Sequence, residues 1–267
     1  MKITLAYSPC PNDTFIFNAV SAGLLPFDGH QIETRLHDVE TLNRLALDGA
    51  YDLTKVSFHA YLSIRHQYRL LDVGAALGYS CGPVVVSKKE LSRREMPRCK
   101  VALPGELTTA HLLFRLWAPE VSEKIFLPYD RIIPAVATGQ ADCGVLIHEG
   151  RFVYAQAGLR AVADLGQWWE QETGLPIPLG CIVARASLGR EFHAGFEDLL
   201  RRSIQRALAR PEETLPYIRA HAQELDETVL KAHIKMFVND FTLELGGRGR
   251  AAVEKLELMA KAAGWPA

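Results

Sequence analysis

The sequence lacks an excess of charge of either sign, and it lacks a long apolar run. Thirty Lys and Arg residues stand against 31 Asp and Glu residues, which leaves a formal net charge of −1. A protein that binds nucleic acid by neutralising phosphates normally carries a basic excess or a basic stripe, whereas the cations here are scattered. No apolar stretch approaches the roughly 18 residues that a membrane-spanning helix needs. The sequence therefore predicts a protein without nucleic-acid or membrane partners.

Cysteine is scarce and widely spaced. The five cysteines are odd in number and form no CxxC pair, which argues against a disulfide framework and against a structural zinc site. The apolar start of the chain ends at Pro9, too early for the apolar region of a signal peptide. Almost no hydrophobic segment precedes Cys10, as a lipoprotein anchor would require. We therefore expect a soluble, cytoplasmic protein in a reducing compartment.

Several motifs of common enzyme classes are missing as well. The sequence has no HExxH, Walker A, GxGxxG or GxSxG motif, which argues against zinc-dependent hydrolysis, ATP use, Rossmann-type cofactors and α/β-hydrolase chemistry. Six histidines lack the spacing of a metal-binding set: His59, His66, His111, His193, His221 and His233. The residues therefore predict no metal site.

What the sequence does contain is a repeated alternation of strand-like and helix-like segments. In the first 65 residues, the β-type runs KITLAY, QIETRLHD and DLTKVS are each followed by a segment with helical spacing. Asn12 or Asp13 is the expected cap of the first helix, and Asp38 that of the second. A second alternation begins near residue 98, and long helical segments run from about residue 187 onward. The pattern predicts an α/β fold with parallel strands.

Two segments, GPVVVSKK (82–89) and PLGCIVAR (178–185), flank the second alternation, and each joins a Gly/Pro turn to an apolar β run. If they are paired crossing strands, residues 88–183 form an inserted α/β lobe. Residues 1–87 and 184–267 then form a discontinuous lobe with the C-terminal helices. Two such lobes enclose a cleft, and ligands of open α/β sheets bind beyond the carboxyl ends of the strands. Helix N-termini at that edge offer N–H donors and positive partial charge to carboxylate or phosphate groups.

Polar residues at strand-to-helix junctions are therefore the candidate site residues. Ser8 follows a β run and Asn12 precedes a helix, although the segment also suits a structural turn with an N-cap. Lys55 follows a strand that should be buried, an unusual place for an unpaired ammonium. Its head can equally reach solvent while its stem packs. Ser57 can cap the next helix and face the cleft at once.

Two further junctions lie in the second unit. Gly105 permits a tight turn before Thr108 and Thr109, either of which can cap the following helix and leave donors for a ligand. His148 comes at the end of the apolar run CGVLI. An imidazole that is neutral near pH 7 suits general-base chemistry, although a hydrogen-bonded core histidine is the alternative.

The segments that carry these residues also match a known family. In chain order they are SPCPNDTFIF (8–17), DVETLNR (38–44), LTKVS (53–57), GPVVV (82–86), the PGxxTTA pattern (104–110), YDRI (129–132), IHEGRF (147–152), DLGQWWEQETGLPIPLG (164–180) and RAHAQEL (219–225). The sequence thereby resembles the 1,4-dihydroxy-6-naphthoate synthases of the futalosine route to menaquinone over nearly its whole length. SPCPNDTFIF and the tryptophan-pair segment are long enough to be specific.

The resemblance implies a two-lobed periplasmic-binding-protein-like fold of type II, with two crossing strands and a central cleft. It implies a carbon–carbon lyase that uses no metal or organic cofactor. The implied reaction converts cyclic dehypoxanthinylfutalosine to 1,4-dihydroxy-6-naphthoate and releases dihydroxyacetone. The family's proton-accepting histidine matches His148, and its substrate-binding segments match Lys55, Val56, Ser57, Thr108 and Thr109. The junction argument adds Ser8 and Asn12 to that set.

Two other functions remain open at this point. One is a non-catalytic binding protein for a small molecule, against which the missing export signal and His148 both argue. The other is chorismate dehydratase, a sibling enzyme of the same pathway and fold, although SPCPNDTFIF and IHEGRF favour the synthase. The amphipathic C-terminal helices suit a homodimer interface as well as they suit the core.

Overall fold

The computed structural model describes residues 1–27, 29–222 and 226–265, and it contains two β-sheets. The strands of the first sheet are β1 (Lys2–Tyr7), β2 (Gln31–Leu36), β3 (Leu53–Ser57), β4 (Tyr68–Leu70), β5 (Ala76–Gly78) and β11 (Ile177–Arg185). Their order is β2-β1-β3-β11-β4, with β5 also paired to β11. Strands β1, β2 and β3 are parallel, as the alternation predicted, whereas β11 is antiparallel to β3.

The second sheet contains β6 (Val84–Ser87), β7 (Val101–Leu103), β8 (Lys124–Phe126), β9 (Cys143–Leu146) and β10 (Arg160–Asp164). Their order is β10-β6-β9-β7-β8. Strands β7, β8 and β9 are parallel, and β6 runs antiparallel to both β9 and β10. The second alternation of the sequence therefore corresponds to a second parallel unit, in which β6 alone among the five strands runs in the opposite direction and separates β10 from β9.

Twelve α-helices surround the sheets within the described residues. They are α1 (Pro11–Ser21), α2 (Val39–Leu47), α3 (Phe58–Ile64), α4 (Thr109–Trp117), α5 (Ile132–Thr138), α6 (Gly150–Val153), α7 (Leu165–Thr173), α8 (Gly189–Ala209), α9 (Leu215–His221), α10 (Glu227–Phe237), α11 (Asp240–Leu243) and α12 (Gly246–Ala262). The predicted helical region near the end of the chain is confirmed. Within that region a 3₁₀ turn (Pro211–Thr214) precedes α9, and the last three residues of the RAHAQEL segment, 223–225, lie outside the described residues.

One continuous apolar core joins the two sheets. Val56 and Val183 of the first sheet belong to the same buried cluster as Val85 and Val145 of the second, and the buried Trp169 packs there too. Because interiors are packed as densely as organic crystals, a shared core holds the two sheets in a defined relation. In the part of the chain that the structure describes, no helix is long and apolar enough to cross a bilayer.

The two predicted crossing segments are not paired with each other. Strand β6 lies between β9 and β10 in the second sheet, and β11 lies between β3 and β4 in the first. The apolar runs were read correctly as strands, but each finds its partners within a different sheet. The division into lobes at residues 87/88 and 183/184 stays a prediction.

The start of α1 also differs from the expectation. The helix begins at Pro11 with Cys10 as its N-cap residue, so Asn12 and Asp13 lie inside the first turn. Proline is favoured at the first helical position because its missing N–H has no partner there and its φ is already helical. Asp38 does cap α2, because its carboxylate accepts hydrogen bonds from the amides of Glu40 and Thr41.

Two glycines bring the first turn of α7 against the segment that enters β6. A Cβ atom added to Gly82 would lie 2.2 Å from the backbone nitrogen of Gly166 and 2.3 Å from its Cα. No side chain fits at that approach. The glycines of the GPVVV and DLGQWW segments therefore have a packing role where the chain passes into the second sheet.

Candidate active site

A cleft that opens to solvent, with about 710 Å³ of empty space, is lined by strands of the first sheet, by loops next to strands of the second sheet and by several helix N-termini. Every predicted site residue borders it: Ser8, Asn12, Lys55, Val56, Ser57, Thr108, Thr109 and His148. The structure thus brings together side chains that the sequence distributes over four junctions, and their roles remain predictions.

His148 lies in a strained turn at the cleft. It does not end β9 directly but follows Leu146 and Ile147, and its backbone has φ of +53°. A left-handed conformation is unusual for a residue with a side chain, and such strain is concentrated at functional sites. The imidazole contacts Cys10 at the start of α1 and Tyr129, which follows β8.

The half-buried imidazole of His148 contacts a thiol and a phenol. Its Nδ1 is 3.2 Å from Cys10 Sγ, and the ring of Tyr129 packs edge-on at a centroid distance of 4.9 Å. Burial lowers the pKa of His148, although the nearby Glu149 and Asp13 carboxylates act in the opposite direction. The imidazole is therefore neutral near pH 7, which is the form that accepts a proton.

Cys10 is a neutral partner of this histidine. Burial raises the pKa of its thiol well above the usual value, and the Glu149 carboxylate adds to that effect. Because the thiolate is the nucleophilic form, Cys10 is poorly suited to attack a substrate. The sequence suggested only a lipid anchor for Cys10. Its position before Pro11, at the start of a helix, was the signal that could have placed it among the site residues.

A buried ion pair lies beneath the imidazole. Lys55 Nζ is 2.8 Å from Asp13 Oδ1, and both side chains are almost fully buried. Ser8 Oγ donates to Asp13 Oδ2 at 2.7 Å, and Asn12 Nδ2 donates to Asp13 Oδ1 at 2.9 Å. Lys55 is therefore neither unpaired nor exposed to solvent. Asp13, expected only as a helix cap, instead holds three polar side chains of the site.

The N-termini of α3 and α4 meet at another part of the cleft. Ser57 precedes α3, and its hydroxyl accepts a hydrogen bond from Asn43 Nδ2 at 3.1 Å. Thr108 caps α4 by accepting from the amide of His111, as one of the two expected arrangements. Thr109 Oγ1 donates to the Leu179 carbonyl at 2.7 Å. These bonds fix both threonines and Ser57 at helix starts, where backbone N–H groups favour negative charge.

A second cation, Arg151, borders the cleft and was not predicted. Its Nη2 lies 3.2 Å from Asp164 Oδ2 and 3.3 Å from the Ser80 carbonyl, and its Nη1 donates to the Gly82 carbonyl. Asp164 in turn caps α7. Arg151 therefore ties the segment between β5 and β6 to α7, and its charge is partly matched by Asp164.

The rest of the lining is mostly apolar. It includes Val39, Ala76, Pro83, Ile147, Leu179 and Phe237. An apolar wall with a few fixed polar groups is typical of a small-molecule site. Among the described residues, no three His, Cys, Asp or Glu side chains are grouped so that they could hold a metal ion.

Comparison with known proteins decides the family. A family model described as menaquinone biosynthesis matches residues 3–262. The chain belongs to the menaquinone-biosynthesis family. A 1,4-dihydroxy-6-naphthoate synthase of Thermus thermophilus is 47% identical over 262 residues, covering 98% of this chain and 95% of the relative. A synthase of the same name from Streptomyces coelicolor is 42% identical over 267 residues, covering 98% and 94%.

These relatives confirm that this member of the menaquinone-biosynthesis family is an enzyme, as the resemblance implied. A solved protein of Archaeoglobus fulgidus superposes with a TM-score of 0.93 at 39% identity, covering 98% of both chains. The alkanesulfonate-binding protein of Xanthomonas axonopodis pv. citri, bound to MOPS, gives a TM-score of 0.74 at 14% identity, covering 98% of this chain and 93% of that one. The predicted α/β fold of the periplasmic-binding-protein type is therefore confirmed.

The tryptophan pair of the family segment is not part of the cleft lining. Trp169 is fully buried, and its Nε1 donates to the Pro176 carbonyl at 3.0 Å. It packs in the core shared by the two sheets, next to the turn that leads into β11. The segment therefore supports the structure around the cleft.

Proposed function

We propose that the cleft binds cyclic dehypoxanthinylfutalosine and converts it to 1,4-dihydroxy-6-naphthoate with release of dihydroxyacetone, with His148 as the general base. The observation that carries the proposal is a neutral imidazole in a strained turn at the cleft of a chain of this family. His148 takes a proton from the sugar-derived part of the substrate, a carbon–carbon bond then breaks, and aromatisation of the new ring makes the cleavage downhill.

One base accounts for part of the rate. General-base catalysis contributes typically about 10²–10⁴-fold. Orientation of the substrate and electrostatic stabilisation in a water-poor cleft supply the remainder. Cys10 at 3.2 Å from Nδ1 and the ring of Tyr129 restrict the His148 imidazole, so that little reorganisation is needed when the proton moves.

The charges of the cleft indicate where the substrate carboxylate binds. Lys55 is paired with Asp13, and Arg151 is already bound to Asp164 and to two backbone carbonyls, so we place an additional anion elsewhere in the cleft. We assign the carboxylate to the first turn of α4, at Thr108 and Thr109, with the Ser57 hydroxyl beside it. A nine-residue helix start supplies N–H donors and a positive partial charge.

Lys55, Ser8 and Asn12 then have orienting roles in this proposal. All three donate to the carboxylate of Asp13, which fixes their side chains at the floor of the cleft. Val56 contributes to the wall. A cytoplasmic location and the choice between monomer and homodimer also belong to the proposal, to be tested by cell fractionation and by light scattering of the purified protein.

A non-catalytic binding role is the second candidate, because the fold is shared with a sulfonate-binding protein. Chorismate dehydratase is the third. One experiment separates them: the purified protein is incubated with cyclic dehypoxanthinylfutalosine and, in parallel, with chorismate, and the products are identified by mass spectrometry. We expect 1,4-dihydroxy-6-naphthoate and dihydroxyacetone from the first incubation. Recovery of unchanged substrate supports a binding protein, and turnover of chorismate alone supports the dehydratase; either result contradicts the proposal.

A further inference from the structure

A chain of hydrogen bonds with a fixed direction leads from the buried ion pair to a second histidine. The Lys55 ammonium can only donate, so the Asp13 carboxylate accepts from it. Asn12 bonds to the same carboxylate at 2.9 Å, and a carboxylate that is ionised cannot donate, so the Asn12 group there is Nδ2. The amide oxygen of Asn12 is thereby turned toward His233 Nε2, at 3.0 Å.

This chain fixes the tautomer of His233. An amide oxygen only accepts, so the hydrogen of the neutral ring must reside on Nε2. Nδ1 then carries a lone pair. Burial lowers the pKa of His233 well below its usual value, and the neighbouring His148 acts in the same direction. The ring is therefore neutral, and it stays neutral when His148 takes up a proton.

The Nδ1 atom of His233 has no hydrogen-bond partner within the described residues, although the side chain is fully buried. A buried polar atom without a partner costs free energy, so it is rare in folded proteins. His193 shows the same arrangement, with Nε2 bonded to the Arg185 carbonyl at 2.9 Å and Nδ1 unpaired, but it does not border the cleft. His233 does, and its ring is nearly parallel to that of His148 at a centroid distance of 6.2 Å.

We propose that His233 is a substrate-binding residue whose Nδ1 accepts a hydrogen bond from a hydroxyl group of the sugar-derived part of the substrate. This inference rests on the proposed function, since it is the polyhydroxylated end of the ligand that must lie near His148. His233 Nδ1 then binds a hydroxyl group that donates to it. The Lys55–Asp13–Asn12 chain keeps the ring hydrogen on Nε2, so that Nδ1 remains an acceptor. A ligand hydroxyl then supplies the hydrogen-bond partner of Nδ1.

The test uses His233→Gln and the control His193→Gln. A glutamine amide keeps an N–H donor near the position of Nε2, so the bond to Asn12 can persist, while its acceptor oxygen lies away from the position of Nδ1. We expect KM for cyclic dehypoxanthinylfutalosine to rise about tenfold in His233→Gln, the scale of one lost hydrogen bond in a buried site. We expect KM in His193→Gln to equal that of the wild type.

Equal KM values in two variants of equal thermal stability overturn the inference. If His233→Gln does not fold, ¹⁵N-histidine NMR provides the test. In the wild type, the Nδ1 resonance of His233 must be that of an unprotonated nitrogen. In labelled His148→Ala protein, the same resonance must shift when substrate is added. A protonated Nδ1, or no shift on saturation, contradicts the proposal. Failure of the proposed function looks different, because the wild type itself then does not convert the substrate.

Discussion

At the residue scale, Lys55 and Asp13 show why single positions of the site are hard to predict. The two residues are 42 positions apart and meet only because β1, which leads into α1, pairs with β3. Sequence reasoning identified Lys55 as unusual from its buried strand but had no means to pair it. His233 was dismissed because it formed no metal motif. Its place between Leu230 and Phe237 on the buried side of α10 was the usable signal.

The ion pair makes a prediction about stability. Lys55→Met removes the ammonium and leaves the Asp13 carboxylate buried with only neutral donors. Breaking one half of a buried pair typically lowers the free energy of unfolding by about 3–5 kcal/mol. We expect a loss of that size in urea denaturation. Lys2→Met is the matched control, because Lys2 pairs with Glu33 at the surface with 66% of its side chain exposed, and such pairs contribute about 1 kcal/mol or less. Equal losses of unfolding free energy in both variants would contradict a larger contribution from the buried pair.

At the scale of elements, the sequence predicted the strands and helices whose apolar residues are periodic. It did not predict features that depend on which strands pair. The parallel strands β1, β2 and β3 and the long helix α8 follow from local patterns. Strands β4 and β5 have three residues each, too few to show a period. For a related reason the sequence could not give the partners of β6 and β11, since apolar runs identify a strand but not its neighbour.

The contact between Gly82 and Gly166 tests this element packing. Gly82→Ala places a Cβ within 2.3 Å of α7 backbone atoms, which neither backbone can accommodate without a shift. Overpacking of this kind costs typically about 1–3 kcal/mol, and here it meets backbone instead of a flexible side chain. We expect a lower midpoint of thermal unfolding and a raised KM, because the displaced segment carries two carbonyls that bind Arg151.

Gly247→Ala is the control for this substitution. Gly247 lies in the first turn of α12, and a Cβ there would have open space around it. Alanine favours helix over glycine by about 1 kcal/mol, so the variant should be as stable as the wild type or slightly more so. A Gly82→Ala protein as stable as Gly247→Ala would show that the close approach is not required.

At the scale of the whole molecule, several buried neutral histidines couple stability to pH. Burial lowers the pKa of His59 to about 4, and it lowers the pKa values of His111, His148 and His233 as well. The unfolded chain binds these protons near pH 6.5, whereas the folded chain does not. Stability is therefore complete above pH 6.5 and is lost progressively as the pH falls toward 4.

His59→Gln should flatten this dependence. The shift at His59 alone corresponds to about 3 kcal/mol lost between pH 6.5 and 4. We expect the free energy of unfolding, measured by urea denaturation at a series of pH values, to fall less steeply in the variant than in the wild type. The comparison concerns the slope, so a uniform loss of stability in the variant does not affect it. Identical slopes would contradict a neutral, buried His59.

The cleft is the feature that joins the three scales: two sheets bring four junctions together, and a strained turn presents one imidazole to them. The most direct measurement is turnover by His148→Ala, together with equilibrium binding of cyclic dehypoxanthinylfutalosine to the same variant. We expect kcat to fall by about 10²-fold or more, while the dissociation constant of the substrate stays within a few fold of the wild-type value. A variant that retains near-normal kcat would contradict the assignment of His148 as the base.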